Sequence, residues 1–352
     1  MRVLITGGAG FIGSYFIERL IRAGSEVTVL DLAPCPYPGV HSIVGDVRDP
    51  AAVREAIQGV DRVLHLAAAH HDFGISEQTY FDVNEGAARV LVQAMEEHGV
   101  RELCFYSSVA VYGSTPPPRT EATPPSPEAP YGASKLAGEQ VFRAWTDSGP
   151  DRTAWVIRPT VVFGPGNFAN MFALIRQIAR GRFLQIGEGT NIKSLAYVEN
   201  LVDATFHLWE HVREPGFHVF NYADKPDLSS GRIADTIYRA LGRTPPSLRV
   251  PLGLGLLLAK PFDWTIRLTG ANLPISGARI RKLAEMETQF EADRIQQAGF
   301  SAAVPLSDGL SRMVRWYLDD GRFATPVRRL PPAEPLTSHY AATPPPSPVE
   351  RP

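Results

Sequence analysis

Met1-Arg2-Val3-Leu4-Ile5-Thr6-Gly7-Gly8-Ala9-Gly10-Phe11-Ile12-Gly13 opens the chain, and its reading decides the fold. Val3 to Ile5 is a short apolar run, long enough for one buried parallel strand. The glycines break it, and from Tyr15 to Ala23 apolar residues return at helical spacing. Strand, glycine turn and helix are what a dinucleotide pyrophosphate needs. Glycines let the backbone approach the phosphates, and the helix N-terminus offers unpaired N–H groups and partial positive charge. A glycine-rich turn taken alone is equally a structural turn. Val27 to Leu30, however, reads as a second strand ending in Asp31, eighteen residues past Gly13. An acid about 20 residues on is expected to take the ribose hydroxyls. Gly7, Gly10, Phe11, Ile12, Gly13 and Asp31 are therefore the expected cofactor contacts. The following loop, Pro34 to Gly39, has no Lys or Arg for a 2′-phosphate, which favours NAD over NADP.

The chain has 352 residues and a formal net charge of −2. Its length suggests about two domains, and the absence of a long basic block argues against nucleic-acid binding. The first residues are already strand and turn, so no secretory signal is read. Cys35 and Cys104 have no metal-ligand spacing, and Cys104 sits in an apolar run where a buried thiol is expected. A cytoplasmic protein without a metal is the expectation.

Ser42 to Val44 reads as a third strand, Pro50 to Gln58 as a helix, and Asp61 to Leu66 as a fourth strand running into Ala67-Ala68-Ala69. Small residues at a strand's carboxyl end permit close approach of a cofactor, so Ala67 and Ala68 join the candidate contacts. His70 and His71 follow in the same loop, either as a solvated polar loop or as substrate contacts. A helix is expected from about Thr79 to His98. A fifth strand, Leu103 to Tyr106, ends in Ser107-Ser108, and Tyr131-Gly132-Ala133-Ser134-Lys135 opens another helix. Tyr131 and Lys135, four apart, lie on one helix face. An ammonium near a phenol favours phenolate, and such a tyrosine exchanges a proton with an alcohol or ketone during hydride transfer. Ser108 is placed to hydrogen-bond the same oxygen.

These motifs resemble the extended short-chain dehydrogenase/reductase family, from Met1 to about Tyr317. The carriers are Thr6 to Gly13, Gly45-Asp46-Val47, His65-Leu66-Ala67-Ala68, Ser107 to Gly113, Tyr131 to Lys135 and Arg158-Pro159-Thr160-Val161-Val162-Phe163-Gly164-Pro165. The resemblance implies a Rossmann-type doubly wound parallel sheet binding NAD, with a smaller mixed α/β substrate domain. It also implies Asp46 and Val47 beside the adenine, Pro159 among the cofactor contacts, Ser108, Tyr131 and Lys135 as the catalytic set, and Asn84 in an architectural role. A homodimer through the helices that begin near Thr79 and Tyr131 is a further implication.

Within that family the dominant group acts on nucleotide sugars. Gly187 to Leu201 looks like its segment returning to the cofactor domain, and Lys193 stands where an arginine often binds the diphosphate. Arg281 lies where relatives often place a phosphate-binding arginine. Family dehydratases carry an acidic pair after the strand-end serine or threonine, and decarboxylating relatives an acid at its second position. Here the residues are Val109-Ala110, neither able to move a proton. What remains is an NAD-dependent nucleotide-sugar 4-epimerase or 4-ketoreductase. Val161 replaces an asparagine common in nucleotide-sugar enzymes, which keeps a hydroxysteroid-type dehydrogenase as the alternative; a non-catalytic NAD sensor is a third reading.

The expected division is residues 1–165 with 190–223 for NAD, residues 166–189 with 224–328 for substrate, and a flexible proline-rich tail over 329–352. The apolar run Pro251 to Ala259 is too short to span a bilayer, which takes about 20 residues. It reads as a buried substrate-domain helix without membrane contact, an interfacial contact being the alternative.

Overall fold

Val3, Leu4 and Ile5 are buried on alternate faces of the strand they form, as the two-residue period of a strand requires. Leu4 enters one hydrophobic core, and Val3 and Ile5 enter another on the opposite side. The structure, a computed structural model, describes residues 1–70, 74–246, 249–269, 277, 286–325 and 331–332. The strands of the first half are β1 (Arg2–Thr6), β2 (Glu26–Asp31), β3 (His41–Val44), β4 (Arg62–His65), β5 (Glu102–Tyr106) and β6 (Thr153–Pro159). Those that follow are β7 (Val161–Phe163), β8 (Ile192–Lys193), β9 (Leu195–Tyr197), β10 (Gly216–Tyr222) and β11 (Leu228–Ser229). Seven of them form one parallel sheet in the order β10-β6-β5-β4-β1-β2-β3. Strand order reverses between β1 and β4, and ligands of such sheets bind outside the carboxyl ends at that point.

Helices cover both faces, as an all-parallel sheet demands. On one side, α2 (Pro50–Ala56), α4 (Ala87–His98) and α5 (Pro130–Asp147) contribute Val53, Leu91 and Phe142 to the core. On the other, α1 (Phe11–Arg22) and α7 (Val198–His211) contribute Phe16, Ile17, Leu201 and Leu208. Each such side chain contributes about 1.5–3 kcal/mol on full burial. The helix expected from Thr79 to His98 is interrupted: α3 (Glu77–Phe81) leads into a π-helical turn, Asp82–Gly86, before α4. Asp49 caps α2 by accepting from the Ala51 N–H at 2.9 Å, with Pro50 next to it in the first turn.

A separate core lies at the carboxyl side of the sheet. It joins α6 (Asn170–Ala179) and α8 (Ser230–Ala240) to the helix Leu306–Trp316, through Phe172, Ile175, Ile233, Ile237, Leu310 and Met313. Ser229 caps α8, accepting from the Arg232 N–H at 3.3 Å. The apolar run near residue 251 forms α9 (Leu252–Thr269), and its expected burial holds for one face alone. Gly255 and Ala259 are buried, but Leu254, Leu257 and Leu258 are 47%, 55% and 61% exposed. No helix among the described residues is long and apolar enough to cross a membrane. The expected proline-rich tail, apart from Pro331 and Pro332, lies outside the described residues.

Candidate active site

The glycine turn joins β1 to α1 directly over the β1–β4 boundary. Gly7 has φ +74°, and a Cβ there would stand 2.6 Å from the Ala67 backbone nitrogen, so the turn and the end of β4 touch without side chains between them. A Cβ on Gly13 would stand 2.4 Å from the Gly8 carbonyl oxygen, which fixes the pitch of the first turn of α1. Gly10 is the N-cap of α1 and supplies no side chain, and the first turn holds no acid, so no side chain caps the N–H groups of that turn. Phe11 and Ile12 are half-buried at that end, and Ala67 and Ala68 are half-buried across from it.

Asp31, at the end of β2, accepts from the Ala9 N–H at 3.0 Å and the Ala33 N–H at 3.2 Å. Its carboxylate is thereby held against the glycine turn. Asp46 and Val47 are both buried. Arg48 grips Asp46 through Nε at 3.0 Å and its terminal nitrogen at 2.7 Å, and also donates to the Pro332 carbonyl at 2.9 Å. The role of Arg48 was not read from the sequence, although its place two residues after Asp46 is the signal that marks it. Pro159 ends β6, buried beside Tyr222 of β10.

Two carboxyl-end loops and α5 assemble the reactive side chains. Ser108 follows β5 and accepts from the Ala110 N–H at 3.1 Å, which turns the chain back toward α5. It faces the Tyr131 hydroxyl and favours its ionisation, while burial and neighbouring Tyr80 push that hydroxyl's pKa above the ordinary phenol value, burial being the larger. The Tyr80 and Tyr131 rings are 6.4 Å apart. Lys135, one turn along α5, is buried, with its ammonium over the Phe105 ring at 4.3 Å. Burial lowers its pKa to about 7 against the opposing attraction of Glu139, a further turn along. Among the described residues, then, Lys135 interacts most directly with Phe105 and Glu139, and the strongest influences on Tyr131 are burial and Ser108.

Behind this set is a buried polar network that sequence reasoning missed. Ser107 donates to Glu139 at 2.5 Å, Arg158 donates to both Glu139 oxygens at 2.9 and 2.6 Å, and Arg158 also reaches the Tyr112 hydroxyl at 2.8 Å. Tyr112 in turn donates to Asn221 at 2.7 Å. Asn84, in the π-helical turn, pairs with both backbone groups of Ala69 and donates to Ser134 at 2.9 Å. It ties the loop after β4 to α5, and a π-turn at such a point is a common local device near functional sites.

The expected substrate contacts are less concentrated. His70 is exposed, its ring nitrogen 3.2 Å from the Ala68 carbonyl. Lys193 points its ammonium at the Met286 carbonyl at 2.5 Å. His71 and Arg281 lie outside the described residues. Cys104 is buried and Cys35 half-buried, both as free thiols, and no cluster of metal-ligating side chains occurs among the described residues.

A doubly wound sheet, an uncapped glycine turn at its switch point, and a serine, tyrosine and lysine at the adjoining strand and helix ends define an NAD-dependent short-chain dehydrogenase/reductase of the extended type. Residues 3–223 match the model of the NAD dependent epimerase/dehydratase family. The chain belongs to that family. It is 38% identical over 315 residues to the N-acetyl-alpha-D-glucosaminyl-diphospho-ditrans,octacis-undecaprenol 4-epimerase of Escherichia coli O157:H7, covering 89% of this chain and 94% of that protein. It is 28% identical to the UDP-glucose 4-epimerase of Streptomyces lividans, covering 71% of this chain and 84% of that one. The structure of MoeE5 in complex with UDP-glucuronic acid and NAD superposes with a TM-score of 0.70 at 25% identity, over 90% of this chain and 99% of that chain.

Proposed function

We propose that this protein is a 4-epimerase of diphosphate-linked sugars, with NAD held through each turnover. The observation that carries the reading is the combination of Ser108, Tyr131 and Lys135 with Val109-Ala110, a set with a proton-transfer group for one carbinol and no acid directly after the serine. Bound NAD supplies a reversible hydride acceptor, so that a carbinol becomes a ketone and is then reduced from the opposite face. Tyr131 takes the hydroxyl proton as the ketone forms and returns it on reduction, at its oxygen. Ser108 holds the sugar oxygen toward Tyr131. Lys135 holds the nicotinamide ribose; the expected lowering of the Tyr131 pKa by its charge is not seen, since burial raises that pKa and Lys135 is not among its causes. Gly7, Gly10, Phe11, Ile12 and Gly13 form the pyrophosphate cradle; Asp31 takes the adenosine ribose; Asp46, Val47, Ala67, Ala68 and Pro159 complete the cofactor wall.

The cores on the two faces of the sheet and the separate core of α6, α8 and Leu306–Trp316 support a division in which residues 1–165 with 190–223 hold NAD and residues 166–189 with 224–328 close over the sugar, although Ala292 and Ile295 pack in a sheet core and Phe163, Leu195 and Tyr197 in the separate one. Lys193 and Arg281 are the assigned diphosphate cations, and His70 or His71 the sugar contact. A cytoplasmic homodimer, built on α4 and α5, completes the proposal. Two carriers satisfy the diphosphate requirement, a nucleotide and a polyprenol. The 38%-identical relative, named for a substrate linked to undecaprenol, supports the second above the first.

The test is to purify the chain without added cofactor and offer UDP-linked and polyprenyl-diphosphate-linked N-acetylhexosamine in parallel. Inversion at C4 without net NADH, faster on the lipid-linked sugar, is the expected result. Net NADH formation or silence on both substrates would overturn the reading.

A further inference from the structure

In α9 five large apolar side chains are on the wrong side for a core helix. At 3.6 residues per turn, Leu254, Leu257, Leu258, Phe262 and Trp264 fall within an arc of about 160°. Every one of them is exposed, from 39% at Phe262 to 68% at Trp264. The inward face carries the buried Gly255 and Ala259, with Leu252 and Leu256 half-buried beside them. A Cβ on Gly255 would stand 2.8 Å from an Ile186 methyl, so glycine lets the helix lie tight on that segment, and Ala259 is buried one turn later. Val250, just before the helix, bridges Ile186 in a parallel pair, and Leu184 beside that pair is 71% exposed. The outward leucines are thus fixed by packing on the other face, and the exposed Leu184 lies two residues before Ile186, on the segment that α9 packs against. An exposed apolar stripe of five large side chains on one helix face marks an interaction site.

The charges around the patch favour one occupant. Arg182, Arg249 and Lys260 are exposed on the segments that frame it. The acids of those segments are Glu188 and Asp263, and Asp263 is occupied by accepting from the Gly277 N–H at 2.9 Å. An apolar stripe with cations at its margins is the pattern of a helix lying in a membrane interface, its aliphatic side chains among acyl chains and its cations at anionic head groups. Since α9 is too short and too interrupted to cross a bilayer, contact is with the surface alone. The segment that α9 packs on runs from Ile186 directly to Lys193 of β8, which connects this surface to the diphosphate side of the site.

We infer that the outer face of α9, with Leu184, docks the enzyme on an anionic lipid surface, where a polyprenyl-diphosphate sugar is presented to the cleft. The inference rests on the lipid-carrier reading above, but it is tested separately from it. Full-length protein is floated with vesicles of phosphatidylcholine and phosphatidylglycerol at 3:1, and with phosphatidylcholine alone. Wild type should float with the mixed vesicles, and a Leu257→Asp/Leu258→Asp variant should partition at least tenfold less. Both should epimerise a water-soluble sugar diphosphate equally, which shows that the variant is folded. Vesicles of brominated lipid should quench Trp264 emission, and the quenched fraction should disappear in Trp264→Phe. Failure of wild type to float, or equal flotation of the variant, would overturn the docking surface whatever the substrate proves to be. A change in oligomeric mass in the variant without vesicle binding would overturn it in favour of a protein interface. Flotation as expected with no turnover of the lipid-linked sugar would instead leave docking standing and sink the carrier reading.

Discussion

Arg158, at the end of β6, holds Glu139 of α5 by two hydrogen bonds of 2.9 and 2.6 Å, with both side chains more than 90% buried. Glu139 also accepts from Ser107, so one carboxylate joins the end of β5, the end of β6 and the helix that carries Tyr131 and Lys135. It is the electrostatic support of Lys135 as well, since its charge is what opposes the burial that lowers the ammonium's pKa.

Arg158→Leu should therefore be severely destabilising. Removing one partner of a buried ion pair leaves an uncompensated charge, which costs about 3–5 kcal/mol. Urea denaturation monitored by tryptophan fluorescence should show a loss of unfolding free energy of that size, seen as a lower midpoint at unchanged m. A double variant that also replaces Glu139 by Leu should recover much of the loss.

His65 predicts an acid-labile step in stability. Its ring is fully buried, Nδ1 lies 2.6 Å from the Thr6 hydroxyl, and burial, with Lys135 as a lesser cause, lowers its pKa to about 3. The unfolded histidine, with a pKa near 6.5, binds a proton that the folded one refuses. Stability from this group is thus complete above about pH 6.5 and falls as pH drops toward 3, by roughly 1.4 kcal/mol per unit at most. Asp224 acts in the opposite sense: burial raises its pKa to about 6, so its contribution falls as pH rises from about 4 toward 6. Comparing wild type with His65→Gln over pH 4–7 separates the two. The histidine slope should vanish in the variant.

Asp31 sets cofactor choice in this account. Asp31→Ser should weaken NAD binding about tenfold and narrow the preference over NADP, because the repulsion toward a 2′-phosphate is gone. Titration of both cofactors into wild type and variant measures it directly.

Tyr131→Phe should retain NAD binding within a factor of two and lose about 10²–10⁴ in kcat, the range of a positioned proton-transfer group. Unchanged turnover would remove Tyr131 from the proton path. Lost NAD binding would assign it to the cofactor site instead.

The β1–turn–α1 unit was legible because its signals are local: an apolar run, glycines, then helical spacing. The placement of Asp31 at the end of β2 and of Tyr131 and Lys135 one turn apart on α5 was legible for the same reason. Other features depend on distant partners. β6 contains Arg158 and Pro159 in a run buried throughout, and an arginine there is tolerated only because Glu139, nineteen residues earlier, neutralises it. The π-turn at Asp82–Gly86 is fixed by what Asn84 holds, Ala69 and Ser134, which no periodicity reveals. α9 is apolar enough to look buried, and its composition does not say that Gly255 and Ala259 take the most buried positions while Leu254, Leu257 and Leu258 stay exposed.

The measurement that tests the central claim most directly is an isotope experiment on the sugar itself. A diphosphate-linked substrate carrying deuterium at C4 is converted to near equilibrium in ordinary water containing excess unlabelled NADH. If one bound cofactor takes and returns the same hydrogen, both epimers keep their deuterium at C4. Loss of the label to water would mean proton abstraction from carbon, and its loss to the NADH pool would mean a dissociating ketoreductase; either result would contradict the account.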